Sequence, residues 1–265
     1  MRPEYLQVII FIWVGLLGLV IGSFLNVVIY RLPRRIPFSF GRSVCTQCST
    51  QLKWYHNIPV FSFIVLRGKC AFCGKRISFR YPVVEMINTL CYLYFYWYFG
   101  LSWDFAVFAL LSSVLLTIFF IDLDFQIIPD VITLPGLVLG LAVSLLPGGI
   151  GTLDAFIGML VGGVSLYLIA LLGDWLFKRE SMGGGDIKMA AMLGTFLGWQ
   201  KMFLIFIAAA LIGLVASLVM MLFSAHIRKT RVVPFGPFLA MAAMIAILYG
   251  DRLISFYLIS VVDLR

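Results

Sequence analysis

The sequence predicts an all-α polytopic membrane protein with about eight transmembrane helices and one soluble loop, and three observations carry that expectation. Of its 265 residues, 62% are hydrophobic and 12% charged. Mean hydropathy is +1.05, well outside the range of soluble globular domains. The apolar residues fall into eight runs, 6–30, 83–99, 105–121, 131–146, 153–172, 187–199, 202–223 and 235–259. Most of these can cross ~30 Å of hydrocarbon as a helix of roughly 20 residues. Finally, the basic residues sort to one side: 31–81 holds ten Lys and Arg, 173–188 three and 224–234 three, against four elsewhere (Arg2, Lys201, Arg252, Arg265). By the positive-inside rule the basic connections are cytoplasmic and both termini lie on the outer side.

Taken in order, residues 1–30 form the first transmembrane helix. Arg2 precedes it, but the run is too long for a cleaved signal and ends at "RLPRR", a stop-transfer flank. Residues 31–81 are the one connection long enough to fold by itself, and 82–265 make the remaining helical bundle. The net charge of +8 is explained by topology and contact with anionic lipid, so no nucleic-acid partner is expected.

Within residues 31–81, "CTQC" (Cys45, Cys48) and "CAFC" (Cys70, Cys73) are two C-x-x-C pairs with 21 residues between them. Each pair can bend two sulfurs around one small cation, and Gly74 suits the tight turn that follows. Two pairs complete a four-thiolate tetrahedral shell, the usual structural zinc site. The competing reading is two disulfides, which a reducing cytoplasm disfavours. A closed shell leaves no position for substrate, so the metal is expected to be structural. Cys91 stands alone in an apolar run and reads as packing.

The chain has 12 acidic residues. Glu4, Asp104, Asp154, Asp251 and Asp263 fall in or beside outer loops or termini. Asp122, Asp124, Asp130, Asp174, Glu180 and Asp186 gather on the cytoplasmic side, where ionisable groups at the hydrocarbon margin are costly unless they meet a cavity or partner. Asp122 closes the third run and Asp186 opens the short sixth one. The glycines before it, Gly183, Gly184 and Gly185, let the backbone turn and let an extended peptide approach unobstructed. Two carboxylates brought together share a proton: one draws a proton from water while the other polarises a carbonyl. Helix dipoles favour charge on Asp186, at a helix start, over Asp122, at a helix end. Asp124, two steps along, is expected to point elsewhere, and Asp130 to cap the next helix. The bland alternative for Asp186 is an N-cap.

These residues together resemble the bacterial type IV prepilin peptidases, the leader peptidase/N-methyltransferases among the intramembrane aspartic peptidases with a G-x-G-D motif. That motif stands here as Gly183, Gly184, Gly185 and Asp186, followed by Ile187 and Lys188. The earlier aspartate stands as Asp122, with Pro129 and Asp130 behind it. "GLVIGSFLNVVIYRLP" (18–33), the four cysteines and "RISFRYPVVE" (76–85) are also similar. The resemblance implies Asp122 and Asp186 as the catalytic pair, in a bacterial inner-membrane enzyme working on the cytoplasmic face. Its substrates would be prepilins or pseudopilins of type IV pilus assembly and type II secretion, relieved of a short basic leader. It implies methylation of the new amino terminus from S-adenosylmethionine, with residues 31–81 in the methyltransferase region. No residue is derived for that cofactor; Glu85 and Asn88, with Asn26, are candidates for methyl transfer or for plain interhelical hydrogen bonding. Two alternatives remain: a preflagellin-type peptidase without methyltransferase, which is not expected to carry the four cysteines, and an ion-coupled transporter, which would place its carboxylates nearer the bilayer centre.

Overall fold

The computed structural model describes residues 3–37, 43–146, 148–178, 182–223 and 233–262. Glu180 and Asp263, and Arg2, Arg42, Arg179, Arg228, Lys229, Arg231 and Arg265 from the topology count, lie outside the described residues. The helices are α1 (Pro3–Arg31), the single-turn α2 (Phe61–Val65), α3 (Arg80–Phe99), α4 (Trp103–Phe125), α5 (Asp130–Val143), α6 (Thr152–Phe177), α7 (Gly184–Phe223) and α8 (Gly236–Tyr257). Five of them, α1, α4, α6, α7 and α8, are long and apolar enough to cross a bilayer.

Each apolar run coincides with a long helix, except that two share α7. Its 40 residues would extend about 60 Å if straight, twice the hydrocarbon thickness. Gly198 (φ 77°, ψ 169°) interrupts the helical path, a conformation that L side chains rarely adopt. The chain forms two compact units, Met1–Thr117 and Ile118–Arg265, with the division inside α4.

In the first unit α1 packs on α3 through glycine. A Cβ on Gly18 would lie 2.8 Å from Thr89 Cα, and one on Gly22 2.7 Å from Glu85 Cα. Such close approach is how helices associate where lipid removes the hydrophobic drive. A polar seam follows the contact. Asn88 donates to the Gly18 carbonyl at 2.8 Å, Ser113 donates to Asn88 Oδ1 at 2.7 Å, and Asn26 donates to the Tyr81 carbonyl at 3.1 Å. Glu85 Oε2 accepts the Val60 amide at 2.7 Å, tying the cysteine loop to the helix pair.

In the second unit the first half of α7 is held between α5 and α6, both of which present glycines four residues apart. Gly158 abuts the Gly194 backbone and Gly162 the Ala190 carbonyl, while Gly136 and Gly140 receive Met192 and Thr195. Met189, Ala190, Met192, Leu193 and Thr195 are consequently 0% exposed. These residues belong to the stretch of α7 that begins at Gly184. Replacing Gly194 by leucine is expected to cost more than the usual overpacking penalty of about 1–3 kcal/mol, because backbone rather than a mobile side chain stands in the way. Gly163→Ala, whose Cβ meets only Ala191 Cβ at 3.3 Å, should be mild. Thermal melting of the detergent-solubilised variants checks both.

Candidate active site

α4 continues past its apolar run to Phe125, so Asp122 and Asp124 both lie within its last turn. Two helical steps place them on different faces: Asp122 is 5% exposed, whereas Asp124 is exposed. Gln126, whose amide bonds to the Asp122 carbonyl at 2.9 Å, takes φ 56° and ends the helix. This left-handed conformation is uncommon for a residue with a Cβ. The next residues leave the helix and bring Ile128 against Gly185 at the start of α7. Asp130 is not the cap expected of it. Pro129 occupies the N-cap position and no side chain caps the helix; Asp130 sits in the first turn and pairs with Lys188 at 2.6 Å.

Asp186 is the third residue of α7, inside its first turn rather than before it. Its amide bonds to the Gly183 carbonyl at 3.1 Å. Gly183, Gly184 and Gly185 do not turn through positive φ, which corrects one reason offered for them. Space is what they supply. A Cβ on Gly185 would lie 2.8 Å from Ile128 Cβ, whereas one on Gly184 would meet nothing within 4 Å. Ile128 links the two aspartates: its Cβ faces Gly185, the residue before Asp186, and its Cδ1 faces Gly236, which stands against Asp122 Oδ2. Asp186 Oδ1 is buried without a hydrogen-bond partner among the described residues. A carboxylate oxygen in that state requires a proton, a water or a ligand.

The four cysteine sulfurs lie within 4.8 Å of one another, and Cys45 and Cys73 are 4.0 Å apart. Tetrahedral zinc with bonds of about 2.3 Å sets its sulfurs about 3.8 Å apart, so the cluster fits that ion after slight contraction. The two C-x-x-C segments are copies of one knuckle, a likeness the sequence reading did not find. Cys45 N bonds to Thr50 O, Ser49 N to Cys45 O and Leu52 N to Ser43 O; 25 residues on, Cys70 N bonds to Lys75 O, Gly74 N to Cys70 O and Ile77 N to Gly68 O. Ser49 and Gly74 occupy the same left-handed position, φ 54° and 67°.

Electrostatics differ among the thiols. Hydrogen bonds from the Thr50 hydroxyl and amide hold Cys48 down to about 6. The Cys73 and Phe72 amides also lower Cys70. Cys73 takes a hydrogen bond from the Lys75 amide, yet burial and the sulfurs of Cys70, Cys48 and Cys45 push it up to about 11. Thiolates gathered this closely repel one another, and a bound cation removes the conflict.

Residues 16–99 match the family described as Bacterial Peptidase A24 N-terminal domain, and residues 109–218 match the Type IV leader peptidase family. The chain is 37% identical to a prepilin leader peptidase/N-methyltransferase of Pseudomonas putida over 89% of this chain and 90% of that protein. It is 36% identical to the protein of that description from Aeromonas hydrophila, over 92% of each. The chain belongs to the type IV leader peptidase family. A third relative, from Legionella pneumophila, is 34% identical over 92% of this chain and 93% of its own length. No solved structure matches.

Both family segments hold residues that the sequence reading singled out: Asn26, Glu85 and the cysteines in one, Asp122, Asp186 and Gly183 to Gly185 in the other. Two neighbours of the aspartates escaped that reading. Ile128 and Gly236 carry no chemistry in their side chains, so only their position could reveal them. A Cβ on Gly236 would lie 2.5 Å from Asp122 Oδ2 and 2.9 Å from Ile128 Cδ1.

Proposed function

We propose that this protein cleaves the basic leader from type IV prepilins or pseudopilins by aspartic-dyad hydrolysis and then methylates the new amino terminus. The observation that carries the cleavage reading is two carboxylates from distant parts of the chain, one buried and one with an unpartnered oxygen, beside the open backbone of Gly184. In the proposed reaction one carboxylate takes a proton from water and the resulting hydroxide adds to the scissile carbonyl. The other carboxyl donates its proton to the carbonyl oxygen. Collapse of the tetrahedral adduct breaks the C–N bond: a hydroxyl of the adduct returns its proton to the carboxylate that protonated the carbonyl, and the leaving nitrogen takes the proton that came from water. The pair shares one proton throughout and no acyl-enzyme forms. Gly183, Gly184 and Gly185 bind the substrate backbone; acidic groups on the same face attract the basic leader.

The protein is read as a multi-pass enzyme of the bacterial inner membrane, with its site on the cytoplasmic face and both termini periplasmic. Cys45, Cys48, Cys70 and Cys73 would hold a structural zinc ion that fixes the loop between α1 and α3. Methyl transfer, with S-adenosylmethionine as donor, is supported by the names of the relatives; its seat in the 31–81 region is our own reading, and no residue here is assigned to that cofactor. The preflagellin-type reading is disfavoured by the four-cysteine cluster. Incubating the purified protein with a prepilin and reading product mass tests both activities. Loss of the leader alone is expected without the methyl donor, and one further methyl group with it; an uncut prepilin would remove the main reading, and a cut but unmethylated one would leave the preflagellin type.

A further inference from the structure

The start of α8 meets Asp122. Pro237 has no N–H, and the amides of Phe238 and Leu239 bond back to the Phe235 carbonyl at 3.0 and 3.1 Å. The Gly236 amide takes no part in those bonds, and the Gly236 backbone stands against the Asp122 carboxylate, which brings its N–H within reach of it. This approach is possible only without a side chain: an added Cβ would lie 2.5 Å from Asp122 Oδ2 and 2.9 Å from Ile128 Cδ1, while Ile128 Cβ in turn stands 2.8 Å from the Cβ position of Gly185. Gly236 itself is buried, together with Pro237, Phe238, Leu239 and Ala240. The carboxylate is therefore pressed between the last turn of α4 and the first of α8.

We propose that Gly236 is a positioning residue for the peptidase reaction. Its N–H occupies one lone pair of Asp122 and its missing Cβ lets the first turn of α8 stand against the carboxylate, which fixes the rotation of that side chain toward Asp186. The inference rests on the reading of Asp122 and Asp186 as the reacting pair. It also changes the dipole argument at Asp122, which considered only the negative end of α4. The positive end of a 22-residue helix faces the same carboxylate and opposes that effect. The glycine–proline order has a reason in this scheme: proline at the next position starts the helix without offering a competing donor.

Gly236→Ala keeps the amide and adds the obstructing carbon. Its kcat for prepilin cleavage is expected to fall about tenfold or more with KM near that of the parent, the pattern of a group needed in the transition state and not for binding. The added carbon also touches Ile128, so the variant is compared in parent and Ile128→Val backgrounds, where Cδ1 is absent. Loss that persists in the Ile128→Val background supports action through Asp122. Restoration there shows mere packing and overturns the proposal, as does a Gly236→Ala enzyme of parental kcat.

A second measurement does not depend on how well that variant folds. Labelling phenylalanine carbonyl carbon and glycine nitrogen selects three Phe–Gly pairs, Phe40–Gly41, Phe99–Gly100 and Phe235–Gly236. The Gly236 amide resonance should move upfield in Asp122→Ala, which removes its acceptor, and an unmoved resonance overturns the proposal. The underlying reading fails separately, when Asp122→Ala or Asp186→Ala still cleaves.

Discussion

Asp122→Ala and Asp186→Ala are each expected to lower kcat/KM for leader cleavage by roughly a thousandfold or more, at unchanged melting temperature within a few degrees. General acid–base contributions of positioned side chains run from about 10² to 10⁴, and members of one catalytic unit fail together. The double variant should therefore be little worse than either single one. Asp122→Asn and Asp186→Asn keep the shape but cannot exchange the proton, so they should fall as far as alanine. Asp124→Ala is the comparison: its side chain points away from the pair, and cleavage should stay within about twofold. A single aspartate variant that retained a tenth of parental activity would leave water activation without its second group.

The purified protein should carry one zinc ion per chain, lost on mutation of any one of the four cysteines, and most completely in Cys70→Ser, since Cys70 is 6% exposed. Binding of structural zinc in small cysteine sites is worth about 10–16 kcal/mol near neutral pH, so the loop between α1 and α3 is expected to lose its knuckles with the metal. The pH dependence has a definite sign. Every ligand must be a thiolate; Cys48, held down to about 6, is already ionised at neutral pH, while Cys73, pushed up to about 11, must surrender a proton when the ion binds. Binding thus releases protons, and affinity falls as pH is lowered from 8 toward 5, with the final release following protonation of Cys48. Metal content measured against pH, with thiol counting on the same samples, checks this. Disulfides within the C-x-x-C pairs, or four free thiols without metal, would exclude it.

Much of this protein was legible before any coordinates. A chain that is 62% apolar, with its apolar residues in long continuous runs, satisfies its backbone in lipid as helices, because each run can pair its own N–H and C=O groups within the segment. The runs therefore coincide with helices to within a few residues. The cysteine spacing and the isolated carboxylates were equally visible, since zinc and proton transfer need particular side chains and those side chains are costly in this composition.

Glycine was harder to interpret. Gly183 to Gly185 looked like a turn but provide room; Gly198 looked unremarkable but breaks a 40-residue helix; Gly158 and Gly194, each one of 24 glycines, bring two backbones into contact. A glycine has no side chain to announce its neighbour, so its purpose exists only once another element lies against it. The same holds for the boundary of α4, where the apolar count stops at Ile121 but the hydrogen-bonded helix runs on to Phe125 and turns at Gln126. The sequence alone determined that this is a membrane-embedded helical chain bearing four metal-type thiols and a small set of misplaced acids. Only the tertiary structure decided that Asp122 is enclosed and Asp124 is not, and that the start of the last helix stands against Asp122. Those are relations between distant segments, and hydrophobic periodicity acts within one segment at a time.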